Sequence, residues 1–224
     1  MVMGKPTDTQ LIRIYINNNI GGVLDLSYAS KHLFCDIPFD NLRQYISRFC
    51  KEGTLAKISK GIYLIGDSDA VPEERIIKHY TADGRGMVGG EALLYQLCYL
   101  DEKPETIKIL TNITKGNKKI DSLNIELIET KTCFHKYVGS LELATAIELL
   151  ANVHRVKDIH KLELNTKLIE LLRSYSDRKF ERDIEILYCR SVYLLLDKYL
   201  LAMGISNKVM DIYDNKTRIS NNTK

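Results

Sequence analysis

The sharpest division between apolar and polar positions lies between Asp36 and Gly53. Phe39, Leu42, Ile46 and Phe49 recur at steps of three and four residues, which predicts a helix with one buried stripe. Asp36 or Pro38 opens this helix and Gly53 closes it, the usual punctuation at the two ends. Its opposite face carries Asn41, Arg43, Gln44, Ser47, Arg48 and Lys51. Two short strand-like runs follow, Thr54 to Ile58 and Gly61 to Ile65, joined through Ser59, Lys60 and Gly61. That order predicts a hairpin with a basic tip.

The flanking patterns complete a unit. Thr7 to Asn19 reads as a first helix with Leu11, Ile12, Tyr15 and Ile16 inward, ended by Gly21-Gly22. Val23 to Leu26 is a short apolar stretch, and Ser27 to Leu33 reads as a small second helix. Three helices and a basic-tipped hairpin within residues 1–70 are the order of a winged helix-turn-helix. Residues 71–205 then read as a mixed α/β domain. A helix from Val71 through Tyr80 precedes a glycine-rich turn, Gly90 to Leu97 is helical, and Glu105 to Leu110 alternates as a strand. Thr114 to Asn117 turns, and Lys118 to Ile120 with Asn124 to Ile128 extends the sheet. Helices are expected from Ser140 to about Val153, from Leu162 to about Tyr175, and continuously from Phe180 to Met203. Residues 206–224 are asparagine-rich and are expected to form a polar flexible tail. The expected fold class is therefore α+β.

Charge sharpens the functional reading. Between Pro38 and Lys60, five basic side chains (Arg43, Arg48, Lys51, Lys57, Lys60) face Asp40 and Glu52, a net +3 that equals the total of all 224 residues. Positive charge concentrated this way suits a phosphate backbone. Amide, hydroxyl and guanidinium groups read base edges, so Asn41, Arg43, Gln44 and Ser47 are the candidate base-reading residues. Arg48, Lys51, Lys57 and Lys60 are the candidate phosphate or wing contacts. The competing reading is a solvated helix face beside an ordinary hairpin. A second basic stretch holds His154, Arg155, Lys157, His160 and Lys161, either a solvated loop or an added phosphate contact.

Other chemistry is weakly signalled. The apolar fraction of 45% and charged fraction of 27% are ordinary for a globular protein. No run approaches the ~18 apolar residues that span a bilayer, and Met1 to Thr9 has no apolar core, so a cytoplasmic, membrane-free protein is expected. There, the sequons at Asn112, Asn215 and Asn221 carry no meaning. Five scattered cysteines (35, 50, 98, 133, 189) suit reduced, partly buried thiols. Gly84 to Gly89 matches Gly-x-Gly-x-x-Gly, but a dinucleotide site needs a strand before it, and Glu73 to Asp83 reads as helix. Asp67-Ser68-Asp69 resembles a metal-binding carboxylate pair, yet the Gly139-Ser140 turn follows it and opens another helix, which Ser140 is expected to cap. The histidines lack ligand spacing. No cofactor, no metal site and no catalytic residue are expected.

The middle of the chain carries a family likeness. Gly89-Gly90-Glu91-Ala92-Leu93-Leu94-Tyr95-Gln96-Leu97 leads to Pro104 to Asn112, then Lys118-Lys119-Ile120 and Leu123 to Leu127, with Lys60-Gly61-Ile62-Tyr63 at the wing. Over residues 7 to 155 this order resembles the AbiEi-type antitoxins of bacterial abortive-infection systems. Tyr99-Leu100 stands where such proteins often have leucine-glycine, and Ser122 where glycine is common. The resemblance implies a DNA-binding regulator that represses its own promoter and counteracts a nucleotidyltransferase-like toxin, with or without touching it. A homodimer is compatible with it. A rival expectation comes from the apolar breadth of Phe180 to Leu201: a protein-interaction module in which the winged helix is scaffold and the C-terminal helices bind a partner.

Overall fold

A computed structural model describes residues 6–66, 73–120, 123–135 and 140–222. The chain is α+β and divides into two compact units. One comprises Met1–His79 with Asn117–Asn124, and the other Tyr80–Gly116 with Ile125–Lys224.

In the first unit, α1 (Asp8–Asn18) begins at a capping box, with Thr7 and Gln10 satisfying each other's backbone amides. Ile12 and Ile16 are buried, whereas Leu11, expected on the same side, is 40% exposed. Strand β1 (Val23–Asp25) leads into α2 (Leu26–Tyr28), which continues as a π-helical turn over Ala29–Leu33. The buried Asp25 carboxylate accepts from the Ser27 and Tyr28 amides and starts that turn. Helix α3 (Phe39–Lys51) seats Leu42, Ile46 and Phe49 in the core. Phe39, expected in the same stripe, is 47% exposed. It sits at the first helical position after Pro38, one turn before the stripe meets its partners.

Strands β2 (Leu55–Ser59) and β3 (Ile62–Ile65) form an antiparallel hairpin, and β1 adds to β3, giving the order β1-β3-β2. The register shifts between Lys57 and Ser59. Gly61 at the tip has φ +75°, a backbone that side-chain-bearing residues adopt only under strain. The core unites Ile12, Ile16, Leu24, Leu42, Ile46 and Phe49, among others. Six apolar side chains from three elements thus fix which way α3 faces.

The second unit begins in α4 (Glu73–Thr81) and continues through β4 (Gly86–Gly89) and α5 (Gly90–Gln96). Strands β5 (Thr106–Thr111), β6 (Gly116–Ile120) and β7 (Leu123–Glu129) follow in a sheet of order β4-β5-β7-β6, of which Asn117–Asn124 is counted with the first unit. Helices α6 (Ser140–Ala151), α7 (Lys161–Leu172), α8 (Asp177–Asp183), α9 (Arg190–Ala202) and α10 (Val209–Asn222) follow. Ser140 is the first residue of α6, and its hydroxyl donates to Asp183 at 2.6 Å.

Three expectations about the C-terminal part are corrected. The run from Phe180 to Met203 is not one helix, because Ile184–Cys189 interrupt it. There the Glu185 amide donates to the Thr132 hydroxyl at 3.1 Å and the Leu187 amide to the Tyr193 hydroxyl at 3.2 Å. Tertiary acceptors have taken the amides that a helix would use. Residues 206–222 are no loose tail: α10 buries Val209 and Ile212 and packs on α8 and α9. The Lys216 ammonium donates to the Phe180 and Ile184 carbonyls, and burial pushes its pKa down. Leu162, expected on the apolar side of α7, is 77% exposed, while Leu164, Leu168 and Leu172 are buried.

Candidate nucleic-acid interface

The stripe that buries Leu42, Ile46 and Phe49 turns the other side of α3 outward by helical geometry. Asn41, Arg43, Gln44, Ser47, Arg48 and Lys51 are all exposed. Every candidate base-reading residue therefore shares one open surface, and Lys57 and Lys60 are exposed on the adjoining hairpin.

The electrostatics of this face depend on where its two acids go. Glu52, at the end of α3, receives the Arg13 guanidinium at 2.9 Å from α1. Arg13 also lies over the Phe49 ring, 5.0 Å from its centroid. Asp40 sits in the first turn, 3.8 Å from Arg43, where a carboxylate favours the helix dipole. With both groups strongly exposed, that contact holds Arg43 only loosely. Among the described residues, Arg48, Lys51, Lys57 and Lys60 have no acidic partner within ion-pair distance. The Arg48 guanidinium lies 5.8 Å from the Tyr45 ring centroid, a cation–π shelf that leaves its charge unneutralised.

Two buried-edge groups register the same cations. Burial pushes the Tyr63 hydroxyl pKa up, Cys50 adds to this, and Arg43 opposes it. Burial likewise raises the Cys50 thiol, with Lys57 opposing. Arg43 and Lys57 thus flank the seam between α3 and the hairpin. The hairpin's orientation is fixed at its tip, where the Leu26 amide donates to the Gly61 carbonyl at 2.8 Å.

Similarity to known proteins adds nothing to this geometry. No protein-family model and no curated protein matches the chain. The site must be read from its own residues.

The other sequence candidates fare differently. In the glycine-rich stretch, Gly86–Gly89 is itself the strand and α4 precedes it, so no strand leads into the first glycine. Its glycines answer to packing. A Cβ on Gly86 would lie 2.3 Å from the Leu110 carbonyl oxygen, and one on Gly89 2.4 Å from a Leu110 methyl. The Gly90 amide donates to the buried Glu148 carboxylate at 2.8 Å, so this helix start is already occupied. Asp67-Ser68-Asp69 and Gly139 lie outside the described residues. Among the described residues no cluster of three metal-ligating side chains occurs, and no helix is long and apolar enough to cross a membrane. All five cysteines are free thiols, but Cys35, Cys98 and Cys189 are exposed rather than partly buried.

In the second basic stretch the cations are engaged. Arg155 pairs with Glu91, Lys157 with Asp101, and Lys161 with Asp158 at 2.5 Å. The hydrogen bond from Lys157 holds the Asp101 carboxyl below its ordinary range. The arrangement matches the solvated-loop reading.

Sequence reasoning missed four contributing residues. Arg13 masks Glu52 from the neighbouring helix. Tyr45 supports Arg48. Lys118 and Lys119 belong to the first unit, where the Ser59 hydroxyl donates to the Lys119 carbonyl at 2.9 Å. The Tyr45–Arg48 contact is an i,i+3 pair that helical spacing could have shown, whereas the Arg13–Glu52 and Ser59–Lys119 pairings are long-range and follow no local spacing.

Proposed function

We propose that the first unit is a winged helix-turn-helix that binds double-stranded DNA, with α3 as recognition helix and the β2–β3 hairpin as wing. One observation carries this reading: the face of α3 bearing Asn41, Arg43, Gln44, Ser47 and Arg48 is open, with Glu52 engaged by Arg13 and Arg43 only loosely held by Asp40. The element order α1–β1–α2–α3–β2–β3 and the sheet order β1-β3-β2 support it. Asn41, Arg43, Gln44 and Ser47 present donors and acceptors to base edges. Arg48, Lys51, Lys57 and Lys60 meet phosphates. The sequence likeness to AbiEi-type antitoxins extends the proposal to a cytoplasmic regulator that represses its own promoter and counteracts a toxin.

The rival role, partner docking by the C-terminal helices, finds less support in the packing of α9, although Leu201 at its end is 58% exposed. Val192, Tyr193, Leu196 and Leu200 of α9 are buried, and α9 packs on both α6 and α10. Most of its apolar surface is used within its own unit. A gel shift with the DNA upstream of the gene, against a scrambled duplex of equal length, tests the proposal. Preferential retardation of the upstream fragment is expected. Equal failure to shift either duplex at low salt would refute DNA binding.

A further inference from the structure

The first unit includes a short piece of chain from far downstream, Asn117–Asn124. Its position is set by a specific contact. The Ser59 hydroxyl at the end of β2 donates to the carbonyl of Lys119, 60 residues later, at 2.9 Å. Ser59 is the residue at which the β2–β3 register shifts, and it immediately precedes Lys60. Ser59 itself stays paired with Ile62, and its side-chain hydroxyl, which takes no part in the ladder, is left to bond the Lys119 carbonyl. Lys118 and Lys119 are therefore carried to the base of the wing tip, within a few residues of Lys57 and Lys60.

The side chains suit a role in solvent. Lys119 is exposed and Lys118 half-buried along its stem. Neither has an acidic partner within ion-pair distance among the described residues. This contrasts with Arg155, Lys157 and Lys161, each of which has one. A lysine that serves only solubility needs no anchoring of its backbone to a remote turn. Here a hydrogen bond seats two consecutive lysines beside two others.

Resting on the DNA-binding reading above, we propose that Lys118 and Lys119 form a second phosphate-binding element alongside the wing. They extend the contacted backbone beyond what α3 and the β2–β3 hairpin reach. Duplex DNA presents a phosphate charge about every 1.7 Å of its axis, so neighbouring lysine pairs meet different phosphates. The element grips the backbone and reads no base, because ammonium groups on this strand recognise charge without sequence. Its contribution is therefore equal on operator and random duplex.

The test uses the full chain and a random-sequence duplex, with binding followed by fluorescence anisotropy at several salt concentrations. Each phosphate contact contributes about 0.9 to the slope of log affinity against log salt. The K118A/K119A double variant should flatten the slope by about 1.8, and Lys60→Ala by about 0.9. Ser59→Ala, which keeps every charge and removes only the anchor, should flatten it by less than the double variant. Thermal melting of each variant shows that the fold is retained, and Lys157→Ala serves as a cation-removal control with unchanged slope. If Lys60→Ala flattens the slope while K118A/K119A does not, the second element is refuted and DNA binding by α3 and the wing stands. If the unaltered chain binds no duplex at low salt, the DNA reading falls and this inference falls with it.

Discussion

Two stretches of this chain are comparably rich in cations, and they differ in what surrounds them. Between Arg43 and Lys60 the acids are drawn off: Glu52 is held by Arg13 from another helix, and Asp40 sits loosely at the helix start. Between Arg155 and Lys161 every long cation has its own carboxylate, from Glu91, Asp101 or Asp158. Composition does not distinguish the two. Pairing does, because a cation already neutralised gains little by moving to a phosphate, whereas an unpaired one releases counterions on binding. A buried third case, Lys108 at 3.6 Å from Glu148, shows pairing in the interior.

The comparison can be broken most forcefully from below. Leu42 is fully buried under the open face, so Leu42→Ala should lose about 2–5 kcal/mol of stability in denaturant titration. Duplex binding should fall with the folded fraction. Arg43→Ala should lose about 1–3 kcal/mol of discrimination between upstream and scrambled duplex. Equal loss on both duplexes would make Arg43 a phosphate contact and not a reader.

Inside the second unit, burial raises the Glu148 carboxyl above its ordinary range, against the pull of Lys108 and the Gly90 amide. A raised folded value means that the fold favours the protonated form. The stability Glu148 contributes is present at acid pH and is lost as pH climbs through the raised value. Glu148→Gln, neutral throughout, should therefore gain on the wild type in melting temperature as pH rises from about 4 to 8. A difference that shrinks over that range would mean the Lys108 pairing outweighs burial. The smallest effects fall on the paired stretch: Lys157→Ala should leave the salt slope of duplex binding unchanged. A flattening there as large as that of Lys60→Ala would erase the distinction between the two stretches.

Much of the first unit was legible because its signals are local. The α3 stripe, the Gly53 stop and the Lys60-Gly61 turn each depend on residues within one or two turns of each other. Phe39 escaped because periodicity says which side a residue faces and not whether a partner reaches it. The second unit was harder for the same reason. The break at Ile184–Cys189 follows from acceptors on Thr132 and Tyr193, invisible to a pattern that stays apolar across it. The asparagine-rich end looked too polar to fold, yet α10 buries Val209 and Ile212, and Lys216 donates to two carbonyls at the end of α8. At the candidate site, the residue types and their shared face were readable. The partner that muffles Glu52 and the lysines delivered by Ser59 were not, since both arise from the chain meeting itself at long range.

The bond between the Leu26 amide and the Gly61 carbonyl has a consequence for handling this protein. It makes the hairpin tip answerable to the segment that leads into α2, so the two cannot be redesigned independently. Grafting a longer loop at Lys60-Gly61, as one would to attach a probe, should loosen the start of α2 before it disturbs the strands. A label placed at exposed Cys35, beyond the π-helical turn, leaves that tie uncut.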